Sequence, residues 1–104
     1  GFRDFIYIED VTDAWMRVAK DKKNFNKIYN LGTGSKTSLK KLFQIISKVL
    51  NKKLVIEELK GTPGDFMGCY SDMGKIKKDL KFKTKTSLKN GIEKFNNWLN
   101  EKKN

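Results

Sequence analysis

Apolar positions recur along this chain with two different periods, and the switches between them lay out its elements. Phe5, Ile6, Tyr7 and Ile8 form an unbroken apolar run, the pattern of a strand buried on both faces. From Asp10 the pattern turns helical. Val11, Ala14, Trp15, Val18 and Ala19 lie at i, i+3, i+4, i+7 and i+8, one stripe along a helix. Asp10 is the expected N-cap, with Asp13 in the capping-box position, and Lys20, Lys22 and Lys23 suit the C-terminal end of the helix dipole. Ile28-Tyr29-Asn30-Leu31 then reads as a short strand, broken by Gly32-Thr33-Gly34-Ser35. Strand, helix, strand is the order of a right-handed crossover in a parallel sheet.

The second helix carries the clearest stripe, through Leu39, Leu42, Phe43, Ile46, Val49 and Leu50, with Ser38 as its N-cap. Residues 54–59 read as a strand, β-branched first and polar later. Residues 60–71 form the one long irregular stretch and hold the only proline. Ser71 or Asp72 caps a third helix with Met73, Ile76 and Leu80 on one side. Thr86 or Ser87 caps a last helix with Leu88, Ile92, Phe95 and Leu99 in register. The pattern therefore predicts helices over 11–21, 38–50, 72–80 and 87–100, and strands near 5–8, 28–31 and 54–58.

A chain of 104 residues has room for one small core. Its strongest apolar run starts almost at once, so we expect a piece of a larger protein. The net charge is +11, from 23 basic and 12 acidic residues. Only Arg3 and Arg17 among the basic residues are arginine, and the lysines are scattered through every segment. A duplex reader concentrates arginines on one element to reach base edges, so nucleic acid is not the expected partner. The absence of histidine excludes His-based triads and most zinc sites from this stretch. No apolar run approaches the ~20 residues that span a bilayer, so no membrane partner is expected. The single cysteine, Cys69, cannot form an internal disulfide, which fits a reducing cytoplasm. It is expected to be a packed, unreactive thiol.

Few residues remain for chemistry. Arg3 stands at the mouth of the first predicted strand, and its guanidinium fork can hold a phosphate in fixed geometry. As a plain surface cation it would pair with Asp4. Asp65 follows the Pro63-Gly64 turn, where its carboxylate could meet two vicinal hydroxyls or cap its own turn. Gly32-Thr33-Gly34 could suggest a phosphate loop, but the third glycine of the dinucleotide fingerprint is missing, and a tight turn is the simpler reading. Glu57 and Glu58 are strand neighbours, so they point to opposite faces and cannot share one reacting centre.

Six short stretches, taken in order, carry a resemblance: RDFIYIEDV at 3–11, YNLGTG at 29–34, TSL at 37–39, PGD at 63–65, YSD at 70–72 and KTSLKNGI at 85–92. Together they resemble the C-terminal third of the extended short-chain dehydrogenases, the NAD-dependent nucleotide-sugar epimerases and dehydratases of UDP-glucose 4-epimerase type. The resemblance implies an α/β lobe of about four helices with short strands, without the Rossmann nucleotide-binding core. Residues 1–36 would rejoin the Rossmann sheet and 37–104 would form the substrate-binding lobe. It implies a cytoplasmic, homodimeric parent enzyme that oxidises the C4 hydroxyl of a UDP-sugar with NAD, using a tyrosine base, and reduces the turned-over ketone. The catalytic Tyr-x-x-x-Lys is absent here: Tyr70 is followed by lysine five residues on, at Lys75. NAD would be bound by the missing N-terminal domain, this chain alone would bind none and would be inactive, and its partners would be that domain and the nucleotide-sugar. By the same resemblance Arg3 contacts the diphosphate, Asp65 the ribose, and Phe5 lines the pocket. Thr62 stands where many members carry a second phosphate-binding arginine, so it brings a hydroxyl without a charge. A 4,6-dehydratase, a non-enzymatic nucleotide-binding or assembly module, and a basic RNA-binding domain stacking bases on Phe5 and Tyr7 remain the alternatives.

Overall fold

The structure is a computed structural model that describes residues 1–57, 59 and 67–103. Four helices form: α1 (Ile8–Ala19), α2 (Leu39–Leu50), α3 (Gly74–Leu80) and α4 (Leu88–Lys103). Two short strands, β1 (Phe2–Arg3) and β2 (Thr37–Ser38), pair antiparallel, Phe2 opposite Ser38 and Arg3 opposite Thr37.

The helices match the apolar periodicity. Ser38 caps α2 as expected, its side chain accepting the Lys41 N–H at 3.0 Å. Asn51 closes that helix in the left-handed conformation at φ 52°, a role asparagine fills with little strain. Ser87 accepts the Asn90 N–H at 3.2 Å in the first turn of α4. Asp72, not a full N-cap, accepts the Gly74 N–H at 2.9 Å ahead of α3.

The strands do not match. Residues 5–7 pair with nothing among the described residues, and Ile8 already begins α1. The N-cap is therefore Tyr7, and Asp10 lies in the first turn. Neither 28–31 nor 54–57 forms a strand either; Glu58 lies outside the described residues. A strand exists through its ladder, and among the described residues none pairs with these segments. The ladder that does form uses residues 2–3 and 37–38, with Phe2 also bridged in parallel to Gly68.

The core is small. Ala14 on α1, Met73, Ile76 and Leu80 around α3, and Phe82 just beyond it are the buried apolar residues among those described, with Val18, Tyr29 and Leu31 packed against them. Ala14 is the small residue that lets α1 approach α3. Arg17 ties the two helices at their ends: its Nη1 donates to the Leu80 and Lys81 carbonyls at 3.2 and 3.4 Å, which would otherwise be orphaned at the C-terminus of α3. A buried carboxylate joins α1 to the segment that leads into α4. Asp10, 3% exposed, accepts the Lys85 N–H at 3.1 Å and the Thr86 N–H at 3.2 Å. The Cα radius of gyration is 16.4 Å and the extents are 48 × 40 × 18 Å, whereas a compact chain of this length would have a radius near ~13 Å. The lobe is thus a slab. Its apolar side chains Ile8, Trp15 and Met16 on α1 and Phe95 and Trp98 on α4 face outward. No helix among the described residues is long and apolar enough to cross a membrane.

Candidate functional site

The two residues after Phe2 organise the site. Asp4 faces the Gly32-Thr33-Gly34 turn on one side and the return segment at Ser71 on the other. Its carboxylate accepts the Thr33 N–H at 3.0 and 3.1 Å, the Thr33 hydroxyl, the Gly34 N–H at 2.9 Å and the Ser71 N–H at 3.1 Å. Burial alone would raise the Asp4 carboxyl. The donors from Thr33, Ser71 and Gly34 outweigh it and hold its pKa below the ordinary value. The turn after residue 31 is therefore not a vacant phosphate loop, since its outward N–H groups are already bound to an internal carboxylate. Gly32 is required there because a Cβ would collide with Ser71 Oγ and Asp4 Oδ2.

Arg3 lies one residue earlier and is oriented by backbone oxygens. Its Nη1 donates to the Phe2 carbonyl at 2.7 Å and the Met67 carbonyl at 3.2 Å. Met67 is held in turn by the Phe2 N–H at 3.0 Å, and Gly68 admits this close approach because a Cβ would strike the Phe2 carbonyl. The return segment 67–71 is thus fixed at both ends on the strand that bears Arg3. Between them opens a cleft of about 410 Å³ lined by Arg3, Asp4, Asn30, Cys69, Tyr70 and Asp72. Lys36 reaches over its rim, with Nζ 4.8 Å from the Phe2 ring and 5.3 Å from the Tyr70 ring.

The expected site residues divide accordingly. Arg3 is at the cleft. Thr62 and Asp65 lie outside the described residues, as does the Pro63-Gly64 turn; Met67, two residues after Asp65 in the sequence, is bonded to Arg3. Phe5 does not line the Arg3 cleft. It lines a separate groove of about 150 Å³ with Tyr7, Leu88, Gly91, Ile92 and Phe95, because the chain turns toward α4 as it leaves β1. Cys69 is exposed, not packed, since it lies on the return segment and not in the core. The Tyr29 hydroxyl donates to Asp79 at 3.0 Å, and desolvation together with that carboxylate raises its pKa. Asp4 escaped the sequence reading, which paired it with Arg3. A carboxylate just before an apolar run and a distant Gly-x-Gly turn with free N–H groups were the available signals.

Comparison with known proteins extends over nearly the whole chain. It is 38% identical over 102 residues to an uncharacterised protein of Methanocaldococcus jannaschii, covering 97% of this chain and 31% of that one. It is 35% identical over 98 residues to UDP-arabinose 4-epimerase 1 of Arabidopsis thaliana, covering 92% of this chain and 23% of that protein. The crystal structure of UDP-glucose 4-epimerase from Bifidobacterium longum in complex with NAD+ and UDP superposes with a TM-score of 0.85 at 26% identity, over 97% of this chain and 30% of that one. No family model matches the chain. It spans about a quarter to a third of the length of these relatives.

Proposed function

The chain is a segment of the nucleotide-sugar epimerase and dehydratase family, with the fold of the epimerases' C-terminal lobe and without their Rossmann core, and from that premise we propose that it binds the nucleotide of a UDP-sugar in an NAD-dependent 4-epimerase. The observation that carries the reading is the 0.85 superposition on an epimerase solved with NAD+ and UDP, joined to an arginine oriented at the mouth of a cleft. Arg3 would hold the diphosphate through its planar fork, and Asp65 the ribose hydroxyls. Thr62 would add a neutral donor.

NAD does not fit the residues described here. The one Gly-x-Gly turn spends its amides on Asp4, leaving no donors for a pyrophosphate. The cofactor would be held by the part of the protein that precedes this chain, and no residue of this chain is assigned to catalysis. These residues supply binding energy remote from the reacting carbon.

Calorimetry of the full-length protein with UDP tests the reading. Arg3→Lys keeps the charge and loses the fork, so UDP affinity should fall by roughly 5- to 150-fold, corresponding to about 1–3 kcal/mol for a charge-assisted bond. Asp65→Asn should weaken UDP and leave NAD binding intact. Unchanged UDP affinity in Arg3→Lys, or no UDP binding by the wild type, rejects the proposal.

A further inference from the structure

Arg3 can grip a diphosphate only if its guanidinium stays in one orientation, and one of the two carbonyls that orient it, that of Met67, belongs to a segment 64 residues away in sequence. That segment is held at two points. Its upstream end rests on Phe2, through the Phe2 N–H to the Met67 carbonyl and the bridge at Gly68. Its downstream end rests on Asp4, through the Ser71 N–H. Cys69 and Tyr70, which line the cleft, lie between the two points. The same Asp4 carboxylate also binds Thr33 and Gly34, and Asn30 and Leu31 on the far wall lead directly into that turn.

We propose that Asp4 is a positioning residue of the nucleotide site: one carboxylate joins the two walls of the Arg3 cleft and fixes the distance between them. The inference rests on the UDP-binding reading above. The shape of the network supports it. Three backbone amides and one hydroxyl, from segments separated by nearly forty residues, converge on a side chain next to the proposed diphosphate ligand. An amide in place of the carboxylate keeps the size and one oxygen, which in the Oδ2 position still meets the Gly34 and Ser71 amides, but only as a neutral acceptor, while its NH₂ in the Oδ1 position faces the Thr33 N–H. The hold on both walls then weakens from charge-assisted to neutral bonds while Arg3 keeps its charge. Asp4 acts through the cleft's shape and need not touch the nucleotide.

The test measures UDP and NAD binding to the full-length protein by calorimetry, with thermal unfolding recorded alongside. Asp4→Asn should weaken UDP by tenfold or more and change NAD affinity less than twofold. Thr33→Val removes the hydroxyl that donates to Asp4 and accepts the Ser35 N–H, leaves the Thr33, Gly34 and Ser71 amides on Asp4, and should weaken UDP two- to fivefold with the fold intact, so the proposal stays testable if Asp4→Asn does not fold. Wild-type affinity for UDP in both variants overturns the positioning role and leaves the UDP reading standing. Parallel losses of UDP and NAD also overturn it, since they mark general destabilisation. Absence of UDP binding in the wild type overturns both.

Discussion

Asp10→Asn isolates the link between α1 and the connector that leads into α4. Asp10 is 3% exposed and gives one oxygen to the Lys85 amide at 3.1 Å and the other to the Thr86 amide at 3.2 Å. The substitution keeps volume and removes the charge. One oxygen remains to accept one amide, at the strength of a neutral bond. The other position becomes an NH₂ group facing an N–H, so a second backbone donor is left unmet. A hydrogen bond to a charged group contributes about 1.5–3 kcal/mol, and an unsatisfied buried donor costs about 1–3 kcal/mol. These figures overlap, because the unmet amide is the partner of the lost bond. The expected cost is therefore about 2–4 kcal/mol. Urea unfolding of the full-length protein measures it, with an unchanged slope required for the two-state comparison. Hydrogen exchange should show the amides of Lys85 and Thr86 losing protection first, since the damage is local. A cost below about 1 kcal/mol, or exchange that quickens uniformly, would refute the argument.

Acid should act through Asp4. Its folded pKa is depressed, so its contribution to stability is present above the unfolded value of about 3.9 and is lost as pH falls through the lower folded value. The stability gap between wild type and Asp4→Asn should accordingly be constant from pH 7 to about pH 5 and close below about pH 4; a gap that is unchanged at pH 2 contradicts this. The isolated 104-residue chain should self-associate, because Ile8, Trp15 and Met16 expose more than half their surface on one helix. Light scattering that finds a monomer at high concentration would count against it.

Helices were legible because the information they need is local. The stripe from Leu39 to Leu50 predicts 38–50, and the helix runs Leu39–Leu50 with Ser38 as cap. At α1 the prediction starts late. The run Phe5–Ile8 is too short for periodicity to separate a strand from a helix's first turn, and the backbone chose the helix at Ile8, with the Asp10 and Val11 amides bonding the Tyr7 carbonyl at 3.0 and 3.3 Å. The strand expectations at 28–31 and, over its described residues, 54–57 failed for a different reason. Pairing is decided by what lies alongside, and local pattern says nothing about whether a neighbour is present. The strands that exist, at 2–3 and 37–38, are two residues each, below the length at which alternation can be read.

The site divides along the same line. Residue type made Arg3 a candidate, since only a rigid fork distinguishes it from the surrounding lysines, and its expected role came from the family resemblance. Residue type could not single out Asp4, because its value comes from donors 29, 30 and 67 residues away, brought together only by folding. Phe5 shows the converse. It stands two residues from Arg3 in sequence, yet it lines the groove beside α4, because the chain leaves the ladder after Arg3 and turns into α1. Nearness in sequence thus fixes neither which cavity a side chain lines nor which donors a carboxylate meets. The 67–71 return is held at Phe2 and at Asp4, but only Asp4 also holds the 32–34 turn, so if the cleft binds the nucleotide as proposed, changing that carboxylate should perturb UDP affinity more than a substitution at an exposed lysine would.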